Sequence, residues 1–150
     1  MSQSFSVNWN ATNTASATVP MINGMGTATN AIQIYEVNSG SDATADNAVK
    51  YRIERSTVRG TQSATVTPSD VGTAAATAVA TWDTTWNINP TIGGAIVLQW
   101  GQHQRGTYRW VAYDYTKMLQ CQAGTGKGLA LVSVVVTTAF NGVFSIEYQE

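Results

Sequence analysis

The residues best equipped for chemistry crowd into one stretch, GQHQRGTYRWVAYDY (101–115), with the chain's single histidine, two of its five arginines and three of its six tyrosines. His103 has the type for a general base or a metal ligand. Its neighbours Gln102 and Gln104 cannot orient it as a carboxylate would, and no second histidine exists to share a metal. Cys121, the one cysteine, could serve as a nucleophile with His103 as its base, an arrangement set in space rather than by spacing. Its setting, LQCQA, alternates like a strand, where a lone cysteine acts as a small apolar residue. One cysteine also excludes an internal disulfide and a cysteine-based zinc site. The nine acidic residues are scattered. Asp42 and Asp46, the closest loop pair, offer too few oxygens for calcium. AGTGKG (123–128) fails the phosphate-loop pattern at both ends: Cys121 stands where a glycine is required, and Gly128 where Ser or Thr must follow the lysine. It reads instead as a glycine-rich hairpin between KMLQCQA and GLALVSVVV. No catalytic, cofactor-binding or metal-ligating residue is assigned, and the chain is expected not to be an enzyme.

The segment KYRIERSTVR gathers Lys50, Arg52, Arg55 and Arg59, but a net charge of −1 over 150 residues argues against phosphate neutralisation as a main task. Nucleic acid is not an expected partner. Arginine suits protein interfaces through its planar fork and weak hydration, so Arg52, Arg55, Arg105 and Arg109 are interface candidates, with Tyr113 beside them. Trp82 and Trp86 are open to two roles, core or a stacking platform for sugar. Apolar runs fall short of the roughly 20 residues a membrane helix needs, so no membrane partner is expected. The opening MSQSFSVNWN has neither a basic n-region nor an apolar h-region, which points to synthesis in a reducing cytosol.

These residues must be held by elements, and composition says which kind. Hydrophobic residues at 43% suffice for a core, whereas charged residues are only 11%. Twenty-one threonines and thirteen glycines favour strands and turns. Low charge weakens self-repulsion and favours association. Period-two alternation recurs in AIQIYEV, VKYRIERSTV, AIVLQW, TYRWVAY and GVFSIEYQ, with turn chemistry between them. VGTAAATAVATW is the one stretch open to helix, through its alanines, but an extended reading is preferred. The expected fold is all-β, a single antiparallel β-sandwich of jelly-roll type over 31–150. Tyr108, Trp110, Trp100, Phe144 and Ile146 are its core candidates, with 105–113 as a central strand. Residues 1–30 contain no Lys, Arg, Asp or Glu. They are expected to be an extended arm, or else the first strands of the sandwich. As an arm, the segment would use Phe5 and Trp9 as interface anchors.

Taken together, YRIERSTVRG, QHQRGTYRWVAY and GKGLALVSV with GVFSIEYQE resemble a group of small tailed-phage and prophage virion proteins. The match rests on Arg105, Gly106, Thr107, Tyr108, Arg109, Trp110, Val111 and Ala112, with Tyr51 to Arg55 as a second anchor. It covers about the last hundred residues. The resemblance implies a non-enzymatic capsid decoration (cement) protein, a homotrimer, made in the host cytoplasm. It would bind major capsid protein on the outer surface of the head and stabilise contacts between subunits. The alternative is a host-recognition or carbohydrate-binding module of a phage tail or fibre. No cofactor is expected in either case.

Overall fold

A computed structural model of the chain describes residues 3–150 apart from 14, 17, 45, 47, 73–75, 137 and 138. Its strands are β1 (Ser4–Asn13), β2 (Ile22–Met25), β3 (Gln33–Ser41), β4 (Ala48–Val58), β5 (Thr61–Val66), β6 (Ser69–Asp70), β7 (Thr81–Ile88), β8 (Thr91–His103), β9 (Tyr108–Val111), β10 (Leu119–Gln120), β11 (Gly128–Val136) and β12 (Phe140–Gln149). Among the described residues the only helical element is a single 3-10 turn, Tyr115–Lys117. In the alanine-rich stretch, residues 76–80 are irregular and a strand starts at Thr81, while 73–75 lie outside the described residues.

The chain forms the expected sandwich of two antiparallel sheets. Sheet A runs β10-β3-β12-β1-β6, with β9 also on β3, and sheet B runs β5-β7-β2-β11-β4-β8. Of the two roles open to residues 1–30, the described part takes the second. β1 pairs with β12 from Ser4↔Gln149 to Asn13↔Phe140, and β2 lies between β7 and β11. Alternation decides which side chains face inward. From sheet A come Phe5, Val7, Trp9, Phe144, Ile146 and Tyr148; from sheet B come Ile22, Tyr51, Ile53, Trp82, Leu129 and Leu131. Rings lock the two sheets together. Tyr51 meets Phe144 edge-on at 5.5 Å, and Trp82 meets Tyr148 at 5.1 Å, contacts that add directional attraction to area burial.

β4 with β8, and β5 with β7, are successive stretches of one antiparallel ribbon that runs from Ala48↔His103 to Val66↔Trp82. It turns a corner at Arg59–Gly60 and Asn89–Pro90. Gly60 has φ +77, and a Cβ there would lie 2.3 Å from the Ile88 carbonyl oxygen, so the corner requires glycine. The outward face of sheet B also buries a row of residues. Asp83, Asn23, Ala130 and Glu54 stand side by side across four strands and all are buried. Within Ala48–Val58 the polar residues Glu54 and Ser56 are as enclosed as Tyr51 and Ile53.

Candidate functional site

The stretch 101–115 is where the chain crosses from one sheet to the other. β8 ends at His103 in sheet B, residues 104–107 turn, and β9 begins on the edge of sheet A. Gln102 clamps the crossing. Its Oε1 accepts from Ser39 Oγ at 2.6 Å and from Trp100 Nε1 at 3.0 Å, and its Nε2 donates to the Gly106 carbonyl at 3.1 Å. Ser41 Oγ donates to the Gln104 carbonyl just beyond. Tyr108 stacks on Trp100 at 4.7 Å and 10°. The expected central strand is thus corrected: β9 is four residues long, pairs only with β3 and lies at an edge. Trp100, Phe144 and Ile146 are buried in the core, whereas Tyr108 and Trp110 are half-buried and packed against it.

His103 and Cys121 are not brought together. His103 pairs with Ala48 at one end of β4. Cys121 lies next to Gly26, near the end of β11 where Gly128 pairs with Ser56. Eight residues of strand separate those two levels, about 25 Å. Cys121 is buried, and its Sγ accepts from Ile32 N–H at 3.3 Å. Burial pushes its thiol pKa up, the wrong direction for a nucleophile. The expected hairpin at AGTGKG is corrected too. β10 belongs to sheet A and β11 to sheet B, so the glycine-rich turn is another of the chain's crossings between sheets.

The arginines divide by partner. Arg109 Nε and Nη2 reach the Glu36 carboxylate at 2.8 and 3.0 Å, and Asn38 Nδ2 also donates to it at 2.8 Å. The hydrogen bond from Arg109, with that from Asn38, holds the Glu36 pKa below its usual value. Arg105 contacts Asp46 at 2.6 Å, and both side chains are largely exposed. His103 Nε2 is 3.6 Å from the same carboxylate. Arg52 lies 3.3 Å from the buried Glu54, and Arg55 is half-buried. Arg59, unassigned from sequence, makes a two-point pair with a fully buried carboxylate. Its Nε and Nη2 reach Asp83 at 2.7 and 2.9 Å, and Asp83 is fully buried. Two-point geometry and a buried carboxylate make this stronger than the exposed Arg105–Asp46 pair. An aspartate between Trp82 and Thr84 in an alternating strand gives no signal of that burial.

Phe5 and Trp9, expected as interface anchors, are buried in the core and unavailable to a partner. Trp82 is core as well, at 1% exposure, and Trp86 is half-buried. Several apolar and aromatic side chains are instead presented at the surface. Val58, Val79 and Ile88 are each more than half exposed. Val58 and Val79 line one cleft of about 400 Å³ with Arg59, Gly60 and Thr81, and the Ile88 carbonyl abuts Gly60. Tyr113 and Tyr115 are 88% and 75% exposed. They flank Asp114, whose Oδ1 accepts from Thr116 N–H at 2.7 Å and caps the 3-10 turn.

No family model matches the chain, and a search of curated proteins finds no match. One solved structure, of infectious bursal disease virus Gt strain, aligns at 11% identity over 99% of this chain and 40% of its own length, with a TM-score of 0.20. At that score the likeness carries no argument about fold or function.

Proposed function

We propose that this protein is a non-enzymatic capsid decoration protein of a tailed phage. It binds the outer surface of an assembled head and bridges neighbouring major-capsid subunits. The observation that supports this most directly is the ribbon corner. Val58 and Ile88 project into solvent beside a turn that Gly60 shapes and the Arg59–Asp83 pair fixes, and the exposed Val79 lines the same cleft as Val58. Exposed apolar groups on a rigid frame suit the desolvated centre of an interface. Rigidity lowers the ordering cost of binding. A ligand that recognises only the assembled lattice stabilises that lattice by mass action, which is the physical task of such a protein.

Quantitative mass spectrometry of purified virions tests the proposal. Hundreds of copies per particle are expected, with loss from the particle when Ile88→Asp is introduced. A handful of copies would sink it and favour a tail or fibre module that recognises the host. The Tyr113–Asp114–Tyr115 turn supports that second reading, because it displays two aromatic faces on a capped, ordered loop.

A further inference from the structure

The outward face of sheet A is unlike the outward face of sheet B. It is open, and many of its side chains are short amides and hydroxyls. Register places Asn8, Ser145, Asn38 and Arg109 in one row across β1, β12, β3 and β9. The next row is Asn10, Val143 and Gly40. Together these rows line an open cleft of about 770 Å³. From this arrangement we infer that the cleft is a binding site for a neutral oligosaccharide, whatever structure the protein is mounted on.

Three features select that ligand class. Charge comes first. Arg109 is the cleft's one cation, and Glu36 already holds it at two points, so a phosphate or carboxylate would gain little by displacing that partner. The remaining polar groups are amides and hydroxyls, which both donate and accept, and sugar hydroxyls need both. Asn38 is fixed by its bond to Glu36 and Asn8 by its bond to Ser6 Oγ at 3.0 Å, which leaves each side-chain oxygen for a ligand. The third feature is the floor. Val143 is 53% exposed between Asn10 and Gly40, an apolar patch against which the C–H face of a sugar ring can pack. Gly40 keeps the space above its own position empty, since a Cβ there would meet only Thr107 Cγ2, at 3.8 Å. An apolar ligand or a peptide strand would leave the asparagines of the row unpaired, a costly mismatch.

The same glycine supplies the test. Gly40→Leu puts bulk into the cleft at a position where the first added atom makes only an ordinary contact, so the fold should persist. Isothermal titration of the whole chain would use maltohexaose, cellohexaose, chitohexaose and mannohexaose as probes. At least one should bind, and Gly40→Leu and Asn38→Ala should each weaken it tenfold or more with the melting temperature nearly unchanged. Tyr113→Ala should leave that affinity intact. Should all four probes fail to bind, the assignment is wrong. It is equally wrong if binding survives Gly40→Leu, or if it is lost with Tyr113→Ala, which would move the sugar site to the tyrosine turn. Neither result bears on virion copy number, so this inference and the capsid reading stand or fall separately.

Discussion

β1 and β9 trade the places their sequences suggest. SFSVNWNATN comes from a charge-free, asparagine- and threonine-rich segment with the composition of an arm, yet it lies inside sheet A between β12 and β6. YRWV has the richest aromatic pattern in the chain, yet it forms a four-residue edge strand held by β3 alone. The difference teaches that alternation reports which side chains face inward, not how many neighbours a strand has. Inward-facing Phe5, Val7 and Trp9 are nearly fully enclosed because they lie over the core between the sheets, with β12 alongside the whole strand and β6 beside Phe5 and Ser6. Tyr108 and Trp110 face inward as well, but at a margin where solvent reaches them.

The sharpest way to break this comparison is to remove β1. Deleting residues 2–20 takes away the whole strand, strips β12 of its ten-residue pairing and leaves a trench along the core. The truncated chain is expected to lose its cooperative thermal transition by circular dichroism. A truncated body that melts like the full chain would return the segment to the role of an arm. Single substitutions scale the same contrast. Phe5, fully buried and stacked on Tyr148 at 5.6 Å, should cost about 3–5 kcal/mol when changed to alanine. Trp110→Ala on β9 should cost less, about 1–2 kcal/mol for a half-buried ring. Equal losses in urea unfolding would mean that the edge strand is as integral as the central one.

The smallest effect belongs to the Arg109–Glu36 pair that crosses from β9 to β3. Most of the Arg109 side chain is exposed, so Arg109→Ala should cost less near neutral pH than either aromatic substitution. The pH dependence has a definite sign. Glu36 has a folded pKa below its ordinary 4.5, so its contribution is fully present above that value and disappears as pH falls through the lowered one. Wild type and Arg109→Ala should therefore differ at pH 6 and converge in acid. A gap that persists unchanged at pH 2, measured by urea titration, would show that Arg109 acts through packing instead.

Fold class was legible in the sequence because period two is a local property. GVFSIEYQ alternates without interruption, and Phe144, Ile146 and Tyr148 point inward as that pattern requires. Sheet membership was not legible. KMLQCQA and GLALVSVVV read as hairpin partners across a glycine-rich turn, yet only pairing with β3 and with β2 and β4 puts them in different sheets. Long-range partners also settle the charges. Arg59 meets Asp83 because the ribbon turns its corner at Gly60, and nothing in VRG or TWDTT announces that corner. Of the residues singled out from sequence, Tyr113 and Arg109 lie at the surface, where type and exposure agree. The oligosaccharide cleft escaped sequence reading because its row takes one residue from each of four strands, 8, 145, 38 and 109, and its decisive member, Gly40, contributes an absence of bulk.

The pairing of β1 with β12 also sets the order in which the protein can be completed. Gln3 and Glu150 exchange backbone hydrogen bonds, so β1 finds its long partner only after Phe140–Gln149 has been made. Until then β1 has only the two-residue β6 beside it, and the inward faces of Phe5, Val7 and Trp9 stay uncovered. Such a nascent chain is exposed to misassociation while every strand from β2 to β11 is being made. Closing a sheet over so long a loop makes the final step slow relative to local folding. The adjacency offers a remedy as well: joining the two ends with a short linker and opening the chain in an exposed turn would let β12 lead directly into β1, turning the most distant pairing in the molecule into a neighbouring one.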